Sequence, residues 1–567
     1  MVSRLLKFLN RDIVSMNQAA FVLAVFSVLS QLCGLLRDHL LASRIGPSLH
    51  LDVYYSAFRI PDFIYNSFGV LFSVTVLIPF ITDIVKRDSE HKTTHGIKKF
   101  LDSIFSVYFL GMVILSLVVA IMMPLLTKLT APGFSALQQH ELITFSRIML
   151  LSPFLFGLSS LLSSFAQVQK KFFTFAIAPL LYNIGILVGI LFFLPLWGMI
   201  GVVWGVILGA GLYFLIQLPT LIHLHKLPVL TKRIDWQTVR AVVRLSLPRT
   251  LGSSLSNLTF VAISALASLL AIGSVSVFQF SYNIENTPLL VFGISYAVAA
   301  FPTMSAFFTE GNMSALRDVL YRATRNIFFF TMPIALLMIV LRAHVVRLIL
   351  GAGRFSWNDT RLVAASVALF CISITAQSMV LLLVRAFFAV GDTKTPLRIN
   401  VGAVVVTILS ATALVWCYHH NLFFQSFINS LLRIDGVSGG SVILLALAFS
   451  LGQIGNALAL WKRFHKRNPH IVTGDGTLRR NLGHITAASI IAAAIAYGVL
   501  GIIGGSIDQT RYSGIFIQAA LATLAGLLAY AFILLSLGNE DISLFIQTLR
   551  TKFWKAKPAV VQQQQDL

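Results

Sequence analysis

The chain has 567 residues, 57% of them hydrophobic and 11% charged, with 43 Lys and Arg against 21 Asp and Glu for a formal net charge of +22. A soluble globular domain carries about 45–50% apolar and about 25% charged residues, so that class is excluded and an all-α, polytopic membrane protein is expected. The basic excess could suggest nucleic acid, but its distribution along the chain, taken up below, argues for a membrane.

A spanning helix needs about 20 mainly apolar residues. About fourteen such stretches follow one another, beginning near Asn17, Asp52, Ile104, Glu141, Thr174, Met199, Leu245, Val277, Asn326, Arg361, Leu397, Ser441, His484 and Ile515. The first is too long for the apolar region of a signal peptide, and no small-residue cleavage site follows it, so it is expected to stay as the first helix. Lys and Arg collect in alternate connections, such as Lys86, Arg87, Lys98 and Lys99; Lys232, Arg233, Arg240 and Arg244; and Lys462, Arg463, Lys466, Arg467, Arg479 and Arg480. The positive-inside rule puts these loops and both termini in the cytoplasm. The net charge then reads as topology and contact with anionic lipid, and nucleic acid is not expected as a partner.

The chain repeats itself. Pro179-Leu-Leu-Tyr-Asn183-Ile-Gly185 returns as Pro396-Leu-Arg-Ile-Asn400-Val-Gly402, Ala131-Pro-Gly-Phe134-Ser135 as Ala352-Gly-Arg-Phe355-Ser356, and Phe68-Gly69 as Phe292-Gly293, at an offset of about 220 residues. Six helices fit that interval, which predicts two six-helix lobes as parallel repeats related by an axis along the membrane normal. The expected layout is an N-terminal cytoplasmic segment 1–16, an N-lobe 17–225, a cytoplasmic linker 226–242 and a C-lobe 243–465. A basic loop 466–483, two further helices within 484–537 and a cytoplasmic tail 538–567 complete it. An insert at about 418–437 carries Phe423, Phe424, Phe427, Ile428, Leu431 and Leu432 and is expected to form an amphipathic interfacial helix.

Charges at bilayer depth usually face a watery cavity and mark a substrate or ion pathway. Positions i, i+4 and i+7 fall in one stripe of a helix. Ser30, Gly34 and Arg37 form one stripe, Asp52, Ser56 and Arg59 a second, and Gln279, Asn283 and Asn286 a third. These faces suit either an interhelical hydrogen-bond seam or a cavity for an anionic headgroup such as pyrophosphate, which Arg binds through paired hydrogen bonds. Cys33, Cys371 and Cys417 lie far apart in apolar segments without metal or redox spacing. No His-Glu-x-x-His pair or Gly-Lys-Ser/Thr phosphate loop occurs. The chain is therefore read as no enzyme, with no catalytic residue, metal or cofactor; a coupling ion or the membrane potential would drive it.

Ser30-x-x-x-Gly34-x-x-Arg37-Asp38, Asp52 to Arg59-x-Pro61, Ala131-Pro-Gly-Phe134, Ala178-Pro to Asn183, Gly273-Ser-Val-Ser276 and Asp392-x-Lys-Thr-Pro396 resemble the MurJ/MviN lipid II flippases of the MOP exporter superfamily. The resemblance runs in order over nearly the whole chain. It implies a MATE-like, alternating-access transporter in the bacterial inner membrane that carries undecaprenyl-pyrophosphate-linked peptidoglycan precursor. Lipid II, membrane lipids and the cell-wall synthesis machinery are the implied partners, and the chain is expected to be a monomer. Where the family pattern has arginines this chain has Gln31, Tyr65 beside Asn66, and Asn283; where it has a Glu in the second helix this chain has Val70.

The headgroup is thus expected at Arg37 and Arg59, with Ser30, Gln31, Asn283 and Ser276 as polar donors. Asp38, Asp52 and Asn286 are expected in gating or ion coupling, and Gly34 and Pro61 in helix packing or bending. Alternatives stay open: in a related transport class, a flippase for another polyprenyl-linked oligosaccharide or an ion-coupled small-molecule antiporter; in a different class, a membrane scaffold that moves nothing.

Overall fold

The computed structural model describes residues 16–72, 74–90, 95–169, 171–223, 227–469, 476–505, 507–508 and 511–553. Residues 1–15, 470–475 and 554–567, which hold most of the expected N-terminal segment, part of the basic loop and part of the tail, lie outside the described residues. Among the described residues there is helix and no strand. In chain order the helices are α1 (Met16–Arg44), α2 (Leu49–Ala57), α3 (Arg59–Ser67), α4 (Val74–Glu90), α5 (His95–Thr130), α6 (Ala136–Met149), α7 (Leu151–Val168) and α8 (Phe172–Val188). Next come α9 (Leu194–Trp197), α10 (Met199–Leu215), α11 (Leu218–His223), α12 (Trp236–Ser268), α13 (Ser274–Pro288), α14 (Ser295–Thr309), α15 (Met313–Val340) and α16 (Arg342–Leu350). The last are α17 (Trp357–Cys371), α18 (Ile374–Ala389), α19 (Lys394–His420), α20 (Leu422–Leu432), α21 (Ile443–Arg467), α22 (Gly476–Ile503), α23 (Tyr512–Ser536) and α24 (Glu540–Phe553).

In hydrocarbon every backbone N–H and C=O must be paired within the chain, which is why these apolar runs are helices. Each of the fourteen expected starts falls on helical backbone, and among the described residues twelve segments are long and apolar enough to cross a membrane, or thirteen with the pair α17 and α18, bent by 43°, taken as one. The remaining expected start, Leu245, lies within α12, a continuous helix of 33 residues whose Asn257–Ser268 part is apolar. The second expected span is interrupted: α2 ends at Ala57 and α3 begins at Arg59. Pro61 sits in the first turn of α3, where its missing N–H leaves no helical bond unmade.

The helices pack into two compact units. Among the described residues, the first takes the chain up to Ile284 with Ile349–Ser366 and Leu397–Gly452, and the second takes Glu285–Leu348, Val367–Pro396 and the chain from Gln453. In the first unit, Leu77, Ile81, Leu101, Ile104, Tyr108 and Leu161 form the centre of a buried cluster from α4, α5 and α7. Helices α8 and α10 meet through glycines: a Cβ on Gly185 would fall 2.2 Å from Gly209 Cα, and one on Gly189 2.6 Å from Gly205 Cα. The segment leading into α12 is pinned along α5, with Val229 N donating to Asp102 Oδ1 at 2.8 Å and Thr231 N to Ser106 Oγ at 2.8 Å.

The insert forms α20, capped by Asn421 and closed by Arg433 in the left-handed region at φ 59°. Of its apolar residues Ile428 is buried while Leu422, Phe423, Phe427 and Leu431 are exposed, the pattern of a helix lying in an interface. In the second unit α22 and α23 pack on α15: Ala488 and Ala492 with Phe329 and Tyr530, and Ala496 and Ala522 with Leu337 and Leu341. Asp392 accepts the Thr395 N–H at 3.0 Å and pairs with Arg467, which also donates to Thr395 Oγ1. Partial burial pushes the Asp392 carboxyl up, but the Thr395 bonds and the Arg467 guanidinium outweigh it and hold it below the usual range.

Candidate substrate site

Within the first unit, the polar stripes of α1, α3 and α13 are joined by one chain of hydrogen bonds. Arg37 Nε donates to Asp38 Oδ1 at 2.9 Å, with Nη2 also 2.9 Å from that oxygen. On its other side Arg37 Nη1 donates to Asn183 Oδ1 at 3.3 Å, and Asn183 Nδ2 donates to Ser30 Oγ at 3.2 Å. Asp38, only 3% exposed, accepts Asn283 Nδ2 at 2.9 Å through its second oxygen. Asn283 Oδ1 accepts Gln279 Nε2 at 2.7 Å, and Gln279 Oε1 accepts Arg59 Nη2 at 2.9 Å. The sequence Ser30, Asn183, Arg37, Asp38, Asn283, Gln279, Arg59 is therefore continuous. Each bond lies among largely desolvated groups, where it is electrostatically stronger than in water.

The two arginines differ in reach. The Arg37 side chain keeps 22% of its surface exposed. Arg59 is buried, its guanidinium carbon 5.9 Å from the centre of the Phe260 ring and its Nε without a hydrogen-bond partner. Arg37 can meet a ligand by releasing Asp38, while Arg59 has a donor to give only when its surroundings move.

Asp52 does something different. Its carboxylate accepts Gly273 N at 2.7 Å, Ser276 N at 2.8 Å and the Ser276 hydroxyl, so α2 supplies a negatively charged cap to the N-terminus of α13 from outside that helix. Unpaired N–H groups and the positive end of the helix dipole favour a carboxylate there. Gly273, at φ 90°, makes the turn that presents its N–H. Ser276 is fully buried in this cap and stands with Asp52 instead of with the headgroup donors.

Gln31 is partly buried on α1. Gly34 faces Asn183, but a Cβ there would be 3.9 Å from Asn183 Oδ1, ordinary contact; close helix approach falls at Gly185 and Gly189 instead. Tyr65 lies near Ser160, with 3.3 Å between the two hydroxyl oxygens. Asn286, one turn after Asn283, belongs to the second unit and is not in the network. The residue the sequence reading missed as a site residue is Asn183, seen there in the repeat and in a motif of the family resemblance. A lone Asn inside the apolar helix α8 was the available signal. The second unit also holds a cavity of about 640 Å³ between α15, α18, α21 and α22, lined by Phe328, Met332, Met379, Leu458 and Leu482 together with His465 and Arg479.

Among the described residues, twelve or thirteen segments fit to cross a membrane, with a buried, charged hydrogen-bond chain within the first unit, point to the class of membrane transport proteins. Residues 41–517 match the family described as lipid II flippase MurJ, and the chain belongs to that family. It is accordingly a multi-pass protein of the bacterial inner membrane. It is 23% identical over 538 residues to a probable lipid II flippase MurJ of Rhizobium tropici, covering 92% of this chain and 94% of the relative. To the lipid II flippase MurJ of Burkholderia cenocepacia it is 24% identical over 512 residues, 87% of this chain and 98% of the relative. Among solved structures, the fold is similar to lipid II flippase MurJ in an inward closed conformation, with a TM-score of 0.71 at 20% identity over 91% of this chain and 99% of that one. It is also similar to an inward-facing MATE family multidrug transporter of the MOP superfamily, with a TM-score of 0.62 at 14% identity over 80% and 98%.

Proposed function

We propose that this chain moves lipid II, the undecaprenyl-pyrophosphate-linked peptidoglycan precursor, from the inner to the outer leaflet by alternating access. The observation that carries the reading is Arg37, held between Asp38 and Asn183 yet partly exposed. A pyrophosphate oxygen is a charged acceptor like the Asp38 carboxylate, so it can take over the same guanidinium edge. Asp38 would then be left to Asn283, and the shift would pass through Gln279 to Arg59. Asp52 acts as a gate partner by holding the N-terminus of α13. Pro61 serves helix bending beside these residues.

In this reading both termini are cytoplasmic, the protein works as a monomer beside the cell-wall machinery, and a coupling ion or the membrane potential supplies the drive. The uncharged Gln31, Tyr65 and Asn283 favour a second reading, in which the cargo is another polyprenyl-linked oligosaccharide with less phosphate charge to balance. Growth of a bacterium depleted of its own lipid II flippase separates the two. Rescue by this chain, and none by Arg37→Ala at equal membrane level, is the expected result; failure of the unaltered chain, present in the membrane, would count against lipid II.

A further inference from the structure

Glu285 plays no part in the network of the first unit. It lies on α13, four residues before the π-helical turn Leu289–Ile294, and is fully buried in the second unit. Its Oε1 accepts Gln377 Nε2 at 2.7 Å. Gln377 gives a second hydrogen bond to Ser373 Oγ at 3.0 Å, which uses both of its N–H groups. Glu285 Oε2 is buried with no hydrogen-bond partner.

Helix α13 carries no other charged residue, and α14 none. The Cys371 thiol, at the end of α17, lies within electrostatic reach; the charges of α17 itself, Asp359 and Arg361, stand ten residues or more before Cys371 and bond to Ser356 and to the carbonyls of Arg433 and Asp435. On α18, Arg385 is about two turns beyond Gln377 and donates to the Leu381 carbonyl. Helix α15, packed on α18, carries Arg317, Asp318, Arg322 and Arg325 in its first turns, where Arg325 pairs with Asp541. Among the described residues no cation pairs with Glu285.

A carboxylate buried with one neutral donor and no counter-ion is strongly disfavoured, and such a group takes up a proton. We propose that Glu285 is a proton-binding site: in this conformation Oε2 carries a proton, and the proton leaves only when the surroundings of Gln377 open to water. A proton held at membrane depth is also a coupling ion, a use that rests on the transport reading above; occupancy of the site does not.

The test is infrared spectroscopy of the full chain in lipid vesicles, with and without sodium, comparing the unaltered protein with Glu285→Gln and Gln377→Ala. Glutamine has the shape of the protonated side chain, so Glu285→Gln is expected to fold and to lose one protonated-carboxyl C=O band present at neutral pH. Gln377→Ala removes the donor to Oε1 and should shift that band to higher frequency, which identifies it even where Glu285→Gln folds poorly. A spectrum with no such band at neutral pH, or one that Gln377→Ala leaves unmoved, overturns the proposal. A band that appears only after sodium is removed overturns it in favour of a sodium site.

Discussion

Arg37 is gripped from two sides, by Asp38 through Nε and Nη2 and by Asn183 through Nη1. Only the planar fork of arginine can serve both, because lysine is a point charge on a flexible stem. Arg37→Lys should therefore lower lipid II flipping by about 10-fold or more, the equivalent of losing one charge-assisted hydrogen bond, with membrane level unchanged. Arg37→Ala leaves Asp38 buried with Asn283 as its partner in the network and should also reduce folded yield. Adding Asp38→Asn should restore yield but not flipping, as measured by detergent-stable protein and by lipid II translocation side by side. Arg37, Asp38, Asp52 and Arg59 were legible in the sequence because a charge in an apolar run stands out against its neighbours. Ser276, expected among the headgroup donors, instead donates to Asp52, since a sequence motif does not show which carboxylate waits opposite.

Helices show the same division between local and tertiary information. Gly185 and Gly402 occupy equal places in the two repeats, yet a Cβ on Gly185 meets the α10 backbone while one on Gly402 has nothing within 4 Å. Gly185→Ala should destabilise by about 1–3 kcal/mol through overpacking, and Gly402→Ala should be neutral or stabilise by up to about 1 kcal/mol through helix propensity; thermal unfolding in detergent measures both. No single-sequence pattern distinguishes the pair, since the difference lies in what the neighbouring helix brings. The start of α12 was better marked. Asp235 accepts the Thr238 N–H at 3.2 Å, and that backbone bond, outweighing partial burial and helped by Lys99, holds its carboxyl below the usual range. A carboxyl lowered on folding stabilises above its unfolded pKa and loses that contribution as pH falls through the folded one. Asp235→Ala should thus cost about 1 kcal/mol at neutral pH, and the gap between the two unfolding midpoints should close as pH drops below about 4.

At the scale of the molecule, hydropathy alone marked fourteen starts that all fall on helical backbone, because a bilayer leaves the backbone few alternatives to helix. It could not foresee that Ile349–Ser366 and Leu397–Gly452 pack with the first part of the chain, since that grouping depends on contacts between helices remote in sequence. The functional reading joins a network of side chains to the transport of one lipid across one membrane, and the direct test is the lipid itself. This chain would be expressed in a bacterium depleted of its own lipid II flippase, and the fraction of lipid II open to an externally added lipid II-degrading enzyme would be followed. Restored accessibility, with lipid II still protected in cells carrying Arg37→Ala, is the predicted result; lipid II that stays protected while the unaltered chain is present in the membrane would contradict it.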